Sequence, residues 1–317
     1  MMRKLLFVGF IFMVFGAQAQ QDPVFTQYMF NQVYHNPAFS GVEGVTKISL
    51  LHRNQWAGYS ASFDDGGAPT TQVFSVTAPI YKFRSGFGAY VMNDQQGPLN
   101  NVNVQASYAY HLGIKRSKLS FGVQLGVVSQ SIDFDQYRLV HEDDPLVANA
   151  SGKESQVRPD LSMGVYFRSE KVYTGISVAH LLESEFDFGV NTIRNALENH
   201  ATFLIGYRHK VNFDLTLEPS MMAQTDFNEF TVILGGIAEY KEKMWGGLSY
   251  RLEEDVSALL GYKFLKDKSL SVGYSFGYVL SNAEAKKPTT HEVLISYVLP
   301  TNPLPSKKIV RTPRFRH

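Results

Sequence analysis

The stretch Ser269–Leu280, S-L-S-V-G-Y-S-F-G-Y-V-L, divides into two faces at a period of two. Leu270, Val272, Tyr274, Phe276, Tyr278 and Leu280 fall on one face; Ser269, Ser271, Gly273, Ser275 and Gly277 fall on the other. Successive side chains of a strand point to opposite sides of the sheet, so this segment carries an oily face and a small, polar face. A helix would mix the two sets. The pattern recurs over 101–112, where Val102, Val104, Tyr108 and Tyr110 oppose Asn101, Asn103, Gln105, Ser107 and His111. Leu161, Met163, Val165 and Phe167 repeat it. Strands that alternate in this way build membrane-spanning barrels, oily outside and polar inside. The expected fold is therefore all-β: a transmembrane antiparallel β-barrel of about fourteen strands with an N-terminal periplasmic or lumenal segment.

Candidate strands lie near 45–56, 71–80, 84–93, 101–112, 117–130, 160–168, 171–180, 199–209, 213–224, 229–240, 243–251, 256–264, 268–280 and 291–299. Pro219 falls inside one of them and removes a ladder donor, which predicts a bulge or local break. Connections alternate in length. Those at 81–83, 113–116, 169–170, 210–212, 241–242 and 265–267 are short, whereas 57–70, 131–159 and 181–198 are long. Outer-membrane barrels have short periplasmic turns and longer external loops, so both termini are expected on the periplasmic side.

A mean hydropathy of −0.15 and 44% hydrophobic residues are too polar for a bundle of spanning helices, and no apolar run beyond the N-terminus approaches the ~18 residues such a helix needs. Barrel strands hide their lipid face in alternation, so this average does not exclude a membrane. The 17 Tyr, 23 Phe and 25 Gly suit aromatic girdles and small lumen positions. Residues 1–19 read as a secretory signal: Arg3 and Lys4, an apolar run from Leu5 to Phe15, then Ala17-Gln18-Ala19. The mature chain is expected to start at Gln20. Without cysteine there is no disulfide framework and no thiolate metal site. Export combined with barrel strands places the chain in an outer membrane.

Residues 20–44 form the expected N-terminal plug or periplasmic segment, residues 45–299 the barrel, and residues 300–317 a basic periplasmic tail. The first is broken by Pro23, Asn36-Pro37, Gly41 and Gly44 yet carries Phe25, Tyr28, Phe30, Tyr34 and Phe39, which need burial. Phe25, Tyr28 and Gln32 stand at helical spacing, so a short helix fits between the prolines. The tail holds Lys307, Lys308, Arg311, Arg314 and Arg316 with no acid, and is read as a docking arm for an acidic periplasmic partner. Charge is sorted along the barrel as well. Short turns and their flanks carry Lys82, Arg84, Lys115, Arg116, Lys171, Lys210 and Lys243; the long loops carry Asp64, Asp65, Glu142, Asp143, Asp144, Glu183 and Glu253. The expected result is a dipole, basic toward the periplasm.

No G-x-S-x-G, H-E-x-x-H, Walker or glycine-rich phosphate loop occurs. The 9 histidines show no pair at i, i+3 or i+4, so no metal, cofactor or catalytic residue is assigned. His111 and His209 read as lumen or turn residues. The run His141-Glu142-Asp143-Asp144 lacks the alternating oxygen ligands of a calcium loop. Basic residues on turns of an exported protein do not suit nucleic acid. Lumen positions such as Gly86, Gly88, Gly122, Gly126, Gly164, Gly175, Gly261 and Gly273 are small, leaving room for solvent, a plug or an inserted polypeptide. A pore or an interaction scaffold remains.

Gln21-Asp22-Pro23, Tyr28-Met29-Phe30-Asn31, Asn36-Pro37-Ala38 and Gly41, followed by Arg53-Asn54-Gln55-Trp56, Ala68-Pro69-Thr70-Thr71-Gln72, Asn93-Asp94 with Gly97-Pro98, and Ser107-Tyr108-Ala109-Tyr110, resemble in order the motifs of the PorP/SprF family of Bacteroidota outer-membrane proteins. The resemblance spans nearly the whole mature chain. It implies a non-enzymatic barrel tied to the type IX secretion system and, in gliding species, to motility. The implied partners are periplasmic and outer-membrane components of that machinery, a secreted surface adhesin, and outer-membrane lipid. No catalytic residue carries over. What carries over is Asp22, Pro23, Tyr28, Asn31, Asn36 and Pro37 in the N-terminal segment and Arg53, Gln55 and Trp56 at the first strand. Each is read either as a partner contact or as structural: Trp56 an interface anchor, Arg53 a lumen ion pair, the prolines turn formers. The alternative function is a passive porin or small-molecule channel; a barrel hydrolase is a third reading.

Overall fold

The computed structural model describes residues 22–60, 67–136, 151–188, 193–281 and 287–300. The signal at 1–19, the start at Gln20, Asp64 and Asp65, the acidic run 141–144, and Lys307, Lys308, Arg311, Arg314 and Arg316 lie outside the described residues.

Fourteen antiparallel strands close into a barrel. They are β1 (Lys47–Asn54), β2 (Thr70–Ile80), β3 (Ser85–Gln96), β4 (Leu99–Ile114), β5 (Ser117–Asp133), β6 (Lys153–Arg168), β7 (Val172–Ala179), β10 (His200–Tyr207), β12 (Leu215–Thr225), β13 (Phe230–Tyr240), β14 (Met244–Arg251), β15 (Asp255–Phe264), β16 (Leu270–Val279) and β17 (Thr289–Val298). Each pairs with its neighbour in the barrel sequence, and β17 pairs back onto β1 with Lys47 opposite Val298. Closure leaves no edge with unpaired backbone groups, which hydrocarbon would penalise heavily. Two further strands, β8 (Glu185–Phe188) and β9 (Ile193–Ala196), form a separate hairpin in the connection from β7 to β10.

The faces sort as the alternation requires. Leu125, Leu248, Leu260, Ile176 and Phe121 are exposed on the outside, while Ser75, Gln105, Ser107, Gln124, Ser257 and Ser275 are buried inside. A soluble sandwich would show the reverse. Tyr81, Phe83, Phe213 and Phe264 crowd the short-turn rim, where aromatic rings suit the headgroup level.

Two expectations need amending. The two ends of 131–159 are strand, since β5 extends to Asp133 and β6 starts at Lys153. The long connection is thus partly a hairpin rising above the membrane. The interruption expected at Pro219 is present as a break and not a bulge: β12 keeps one register against β13. The ladder to the preceding strand stops at Gly206 and resumes at β11 (His209–Lys210) in the same register. The missing proline donor therefore interrupts the pairing without shifting it. Second, β1 begins and β17 ends at the short-turn rim, but the segment before β1 runs back through the lumen. Asp22 consequently lies at the long-loop end, beside His180 and His200, and not at the short-turn end where the start of the chain was expected.

Candidate functional site: a filled lumen with a cavity at each end

Residues 22–44 cross the barrel interior. Prolines and glycines hold the segment to single turns: Tyr28–Phe30 and Pro37–Phe39 are 3-10 turns, and α1 (Gln32–His35) is one helical turn. The expected helix is no longer than this because Asn36 is extended ahead of Pro37. Short turns rotate the aromatic side chains toward different walls. Tyr28, Met29, Val33, Phe39 and Val42 pack on Tyr166, Leu204, Met222, Ile233, Trp245 and Leu259 on one side. Phe25 packs on Leu51, Val73, Met92 and Leu294 on the other.

Polar groups of the segment find partners on the wall, as buried donors and acceptors must. Working inward from the outer mouth, Arg53 and Arg251 both donate to the Val24 carbonyl. The backbone N–H groups of Thr26 and Gln27 donate to the Glu292 carboxylate at 2.9 and 3.2 Å. Tyr28 meets Ser220 through their hydroxyls at 2.8 Å, and Ser75 donates to Asn31 at 2.8 Å. The Tyr166 hydroxyl donates to Gln32 at 2.6 Å, and Ser177 donates to the His35 carbonyl. Asn36 caps the next turn by accepting from Ala38 N–H. Its amide donates to Val165 O and Ile176 O, both at 3.1 Å. Ser40 pairs with Ser107, and Gly41 N–H donates to Thr77.

The lumen glycines explain how the segment fits. A Cβ on Gly122 would lie 2.2 Å from Ala38 N, and one on Gly86 would lie 2.0 Å from Ser40 O. Gly88 and Gly164 face Ser40 and Asn36 in the same way. Smallness at these positions admits polypeptide rather than solvent.

Two cavities flank the segment. The outer one, about 440 Å³, is lined by Asp22, Pro23, Arg53, Gln55, Trp56 and Arg251 among others. Arg53 stands 3.7 Å from Glu292, and Arg251 stands 3.2 Å from Glu254 and 3.6 Å from Asp255. Trp56 takes a positive φ of 53° and contributes to the lining of this cavity. At the same end, His180 Nε2 lies 3.0 Å from Asp22 and its Nδ1 3.1 Å from Asp160. Burial pushes this imidazole down, but the Asp22 and Asp160 carboxylates outweigh burial and raise it to about 10. Burial works against charge on Asp22 too, yet His180 and His200 hold it well below the usual carboxylate range.

The cavity at the short-turn end, about 400 Å³, is ringed by ion pairs. Glu43 faces Lys47 at 3.6 Å and Arg168 at 3.8 Å; Arg208 pairs with Glu218, Lys263 with Glu239, and Lys268 with Glu242. Burial raises the Glu43 carboxyl, but Lys47 and Arg168 more than reverse this and leave it lowered. The dipole expected from sequence is therefore partly neutralised on the lumen side of this rim. Lys82, Arg84, Lys115, Arg116, Lys171, Lys210, Lys243 and Lys266 remain exposed around it.

The structure thus brings Asp22, Pro23, Arg53, Gln55 and Trp56 together at the outer mouth and distributes Tyr28, Asn31, Asn36 and Pro37 along the filled lumen. Sequence reasoning missed Glu292, Arg251 and the Asp22–His180–His200 group: Asp22 lies 158 residues from His180, Glu292 and Arg251 lie more than 200 residues from the segment they hold, and none carries a local motif.

Among solved structures, the chain is similar to the toluene transporter TbuX of Ralstonia pickettii, with a TM-score of 0.51 and 14% identity over 84% of this chain and 92% of that one. Others are Omp33 of Acinetobacter baumannii (0.47, 6% identity, 80% of this chain and 98% of that one) and the toluene transporter TodX of P. putida (0.48, 11%, 83% and 91%). At such identities the likeness concerns the barrel fold alone. No curated protein matches. Residues 17–297 match the family described as type IX secretion system membrane protein PorP/SprF. With that match over nearly the whole chain, and an outer-membrane barrel as its fold, the protein belongs to the PorP/SprF family.

Proposed function

We propose that this barrel is a non-enzymatic scaffold of the type IX secretion and gliding machinery. Its periplasmic rim and basic tail dock motor or ring components, and its outer mouth supports secretion or surface attachment of an adhesin. The observation that carries this reading is the lumen filled by residues 22–44, whose backbone is tied to the wall by buried charged and polar groups. A barrel filled in this way suits holding partners at both faces better than free diffusion. The exposed lysines and arginines of the periplasmic turns offer a basic surface to an acidic partner.

Deleting 301–317 tests the docking half. The truncated barrel is expected to reach the outer membrane folded and to lose co-purification of periplasmic machinery components. Unchanged recovery of those components would remove the docking idea. The passive-channel alternative finds support in the polar cavities at both ends. Purified protein in a planar bilayer decides between the two: the scaffold stays silent, and a porin conducts without any partner.

A further inference from the structure

We propose that Asp22, His180 and His200 form a binding site for one zinc-like divalent cation at the outer mouth of the barrel. One ligand atom from each lies within 4.8 Å of the others, and both histidines are buried. Two imidazoles and a carboxylate are a donor set suited to Zn²⁺, which takes three protein ligands and leaves a fourth position open.

The orientation of the rings argues for a built site rather than a chance cluster. Metal-binding histidines characteristically donate the second ring N–H to a carboxylate or carbonyl, which fixes the tautomer. His180 places Nδ1 3.1 Å from the buried Asp160 carboxylate and turns Nε2 to Asp22 at 3.0 Å. His200 donates Nδ1–H to the Glu198 carbonyl at 3.0 Å, so its Nε2 is the acceptor nitrogen; its lone pair takes the Asp22 backbone N–H at 3.4 Å, a long hydrogen bond that an entering ion displaces. The two rings meet edge to face with centroids 5.6 Å apart. Each histidine therefore already has an outer partner on Nδ1 and directs Nε2 at the same aspartate. Ligand atoms around a tetrahedral Zn²⁺ stand roughly 3.3 Å apart, so a modest inward movement of His200 completes the arrangement. Of the three ligands, Asp22 also lines the outer cavity. As the ion enters, the proton between His180 and Asp22 leaves.

The three ligands come from the start of the lumen segment and from the two ends of the β7–β10 connection. A bound cation would tie the first turn of the segment to the wall, making release of its outer end dependent on metal. This consequence rests on the scaffold reading, whereas the site itself does not.

The test uses the full chain, purified without a polyhistidine tag, stripped with chelator and titrated with Zn²⁺ by calorimetry. Co²⁺ absorption reports the geometry. One Zn²⁺ per chain is expected, with a tetrahedral Co²⁺ spectrum. His200→Ala should weaken binding at least tenfold, and Asp160→Asn, which acts only through His180, by roughly 10–100-fold. Heat-modifiable gel mobility verifies that each variant folds; should His200→Ala fail, Asp22→Asn takes its place. Absence of saturable uptake by the unmodified protein, or equal affinity in the folded variants, would overturn the proposal. Unchanged recovery of periplasmic components by the chain lacking 301–317, with Zn²⁺ binding intact, would sink the docking half of the scaffold reading alone.

Discussion

Alanine at both Gly86 and Gly122 should push the second half of the lumen segment off the wall while leaving the barrel closed. Each new Cβ would point at backbone of the segment: Ser40 O at 2.0 Å and Ala38 N at 2.2 Å. Ordinary contact begins near 3.4 Å, so residues 37–41 must retreat by more than about 1 Å. Backbone held on both sides cannot absorb this by changing a rotamer. The hydrogen bonds that tolerate such a shift least are those from Asn36 to Val165 and Ile176, Ser40 to Ser107, and Gly41 to Thr77. At ~1 kcal/mol each they amount to about 4 kcal/mol, and displacing the buried Phe39 adds about 2 kcal/mol. Alanine itself suits the strands, so β3 and β5 keep their pairing. In planar bilayers the double variant should show conductance steps where the unmodified protein is silent, and proteolysis from the periplasmic side should cut near Phe39. Gly113→Ala is the control, because no atom lies within 4 Å of its Cβ position. A double variant as silent and as protease-resistant as the parent would refute the steric argument.

Further outcomes follow from the same geometry. Asn36→Ala removes two donated bonds and a cap from a fully buried position; a loss of about 2–3 kcal/mol should appear in urea unfolding from lipid vesicles. Glu292→Ala leaves Arg53 buried without its nearest carboxylate and frees the Thr26 and Gln27 N–H groups, so about 3–5 kcal/mol should be lost in the same assay. Leu248→Arg sets a charge on an outward position that is 67% exposed, and should cost about 2–4 kcal/mol if that position lies at the bilayer midplane; a soluble sheet would tolerate it. Glu43 has a lowered pKa, so its stabilisation is present above its unfolded value near 4.5 and lost as pH falls through the folded value. Glu43→Gln should accordingly flatten the acid limb of a stability–pH profile below about pH 4.5, with little effect on its slope above neutrality.

The barrel was readable because its signal is local. Val104, Tyr108 and Tyr110 against Gln105, Ser107 and His111 reveal the lipid and lumen faces of β4 without reference to any other strand. Counting such stretches gave the strand number by the same local logic. The path of residues 22–44 was harder, because what decides it is contact with residues far along the chain: Thr26 with Glu292, Asn36 with Val165, Tyr28 with Ser220. The five aromatics announced a need for burial but not the direction of travel, and so the start of the segment was expected at the wrong end. Gly86 and Gly122 were recognised as small, yet smallness alone does not say whether water or backbone comes close. The histidine pair was invisible because the antiparallel pairing of β7 with β10, not a helical turn, brings His180 beside His200.

The native chain has no cysteine, which permits one direct measurement of the central claim. Ser40 and Ser107 touch through their hydroxyls at 2.7 Å, 67 residues apart. In Ser40→Cys with Ser107→Cys, mild oxidation in intact outer membranes should close a disulfide and shift mobility on a non-reducing gel. Ser40→Cys with the lipid-facing Tyr108→Cys should not respond. A lumen filled by its own N-terminal segment predicts near-complete crosslinking of the first pair; rapid maleimide labelling of both cysteines with no crosslink would contradict it.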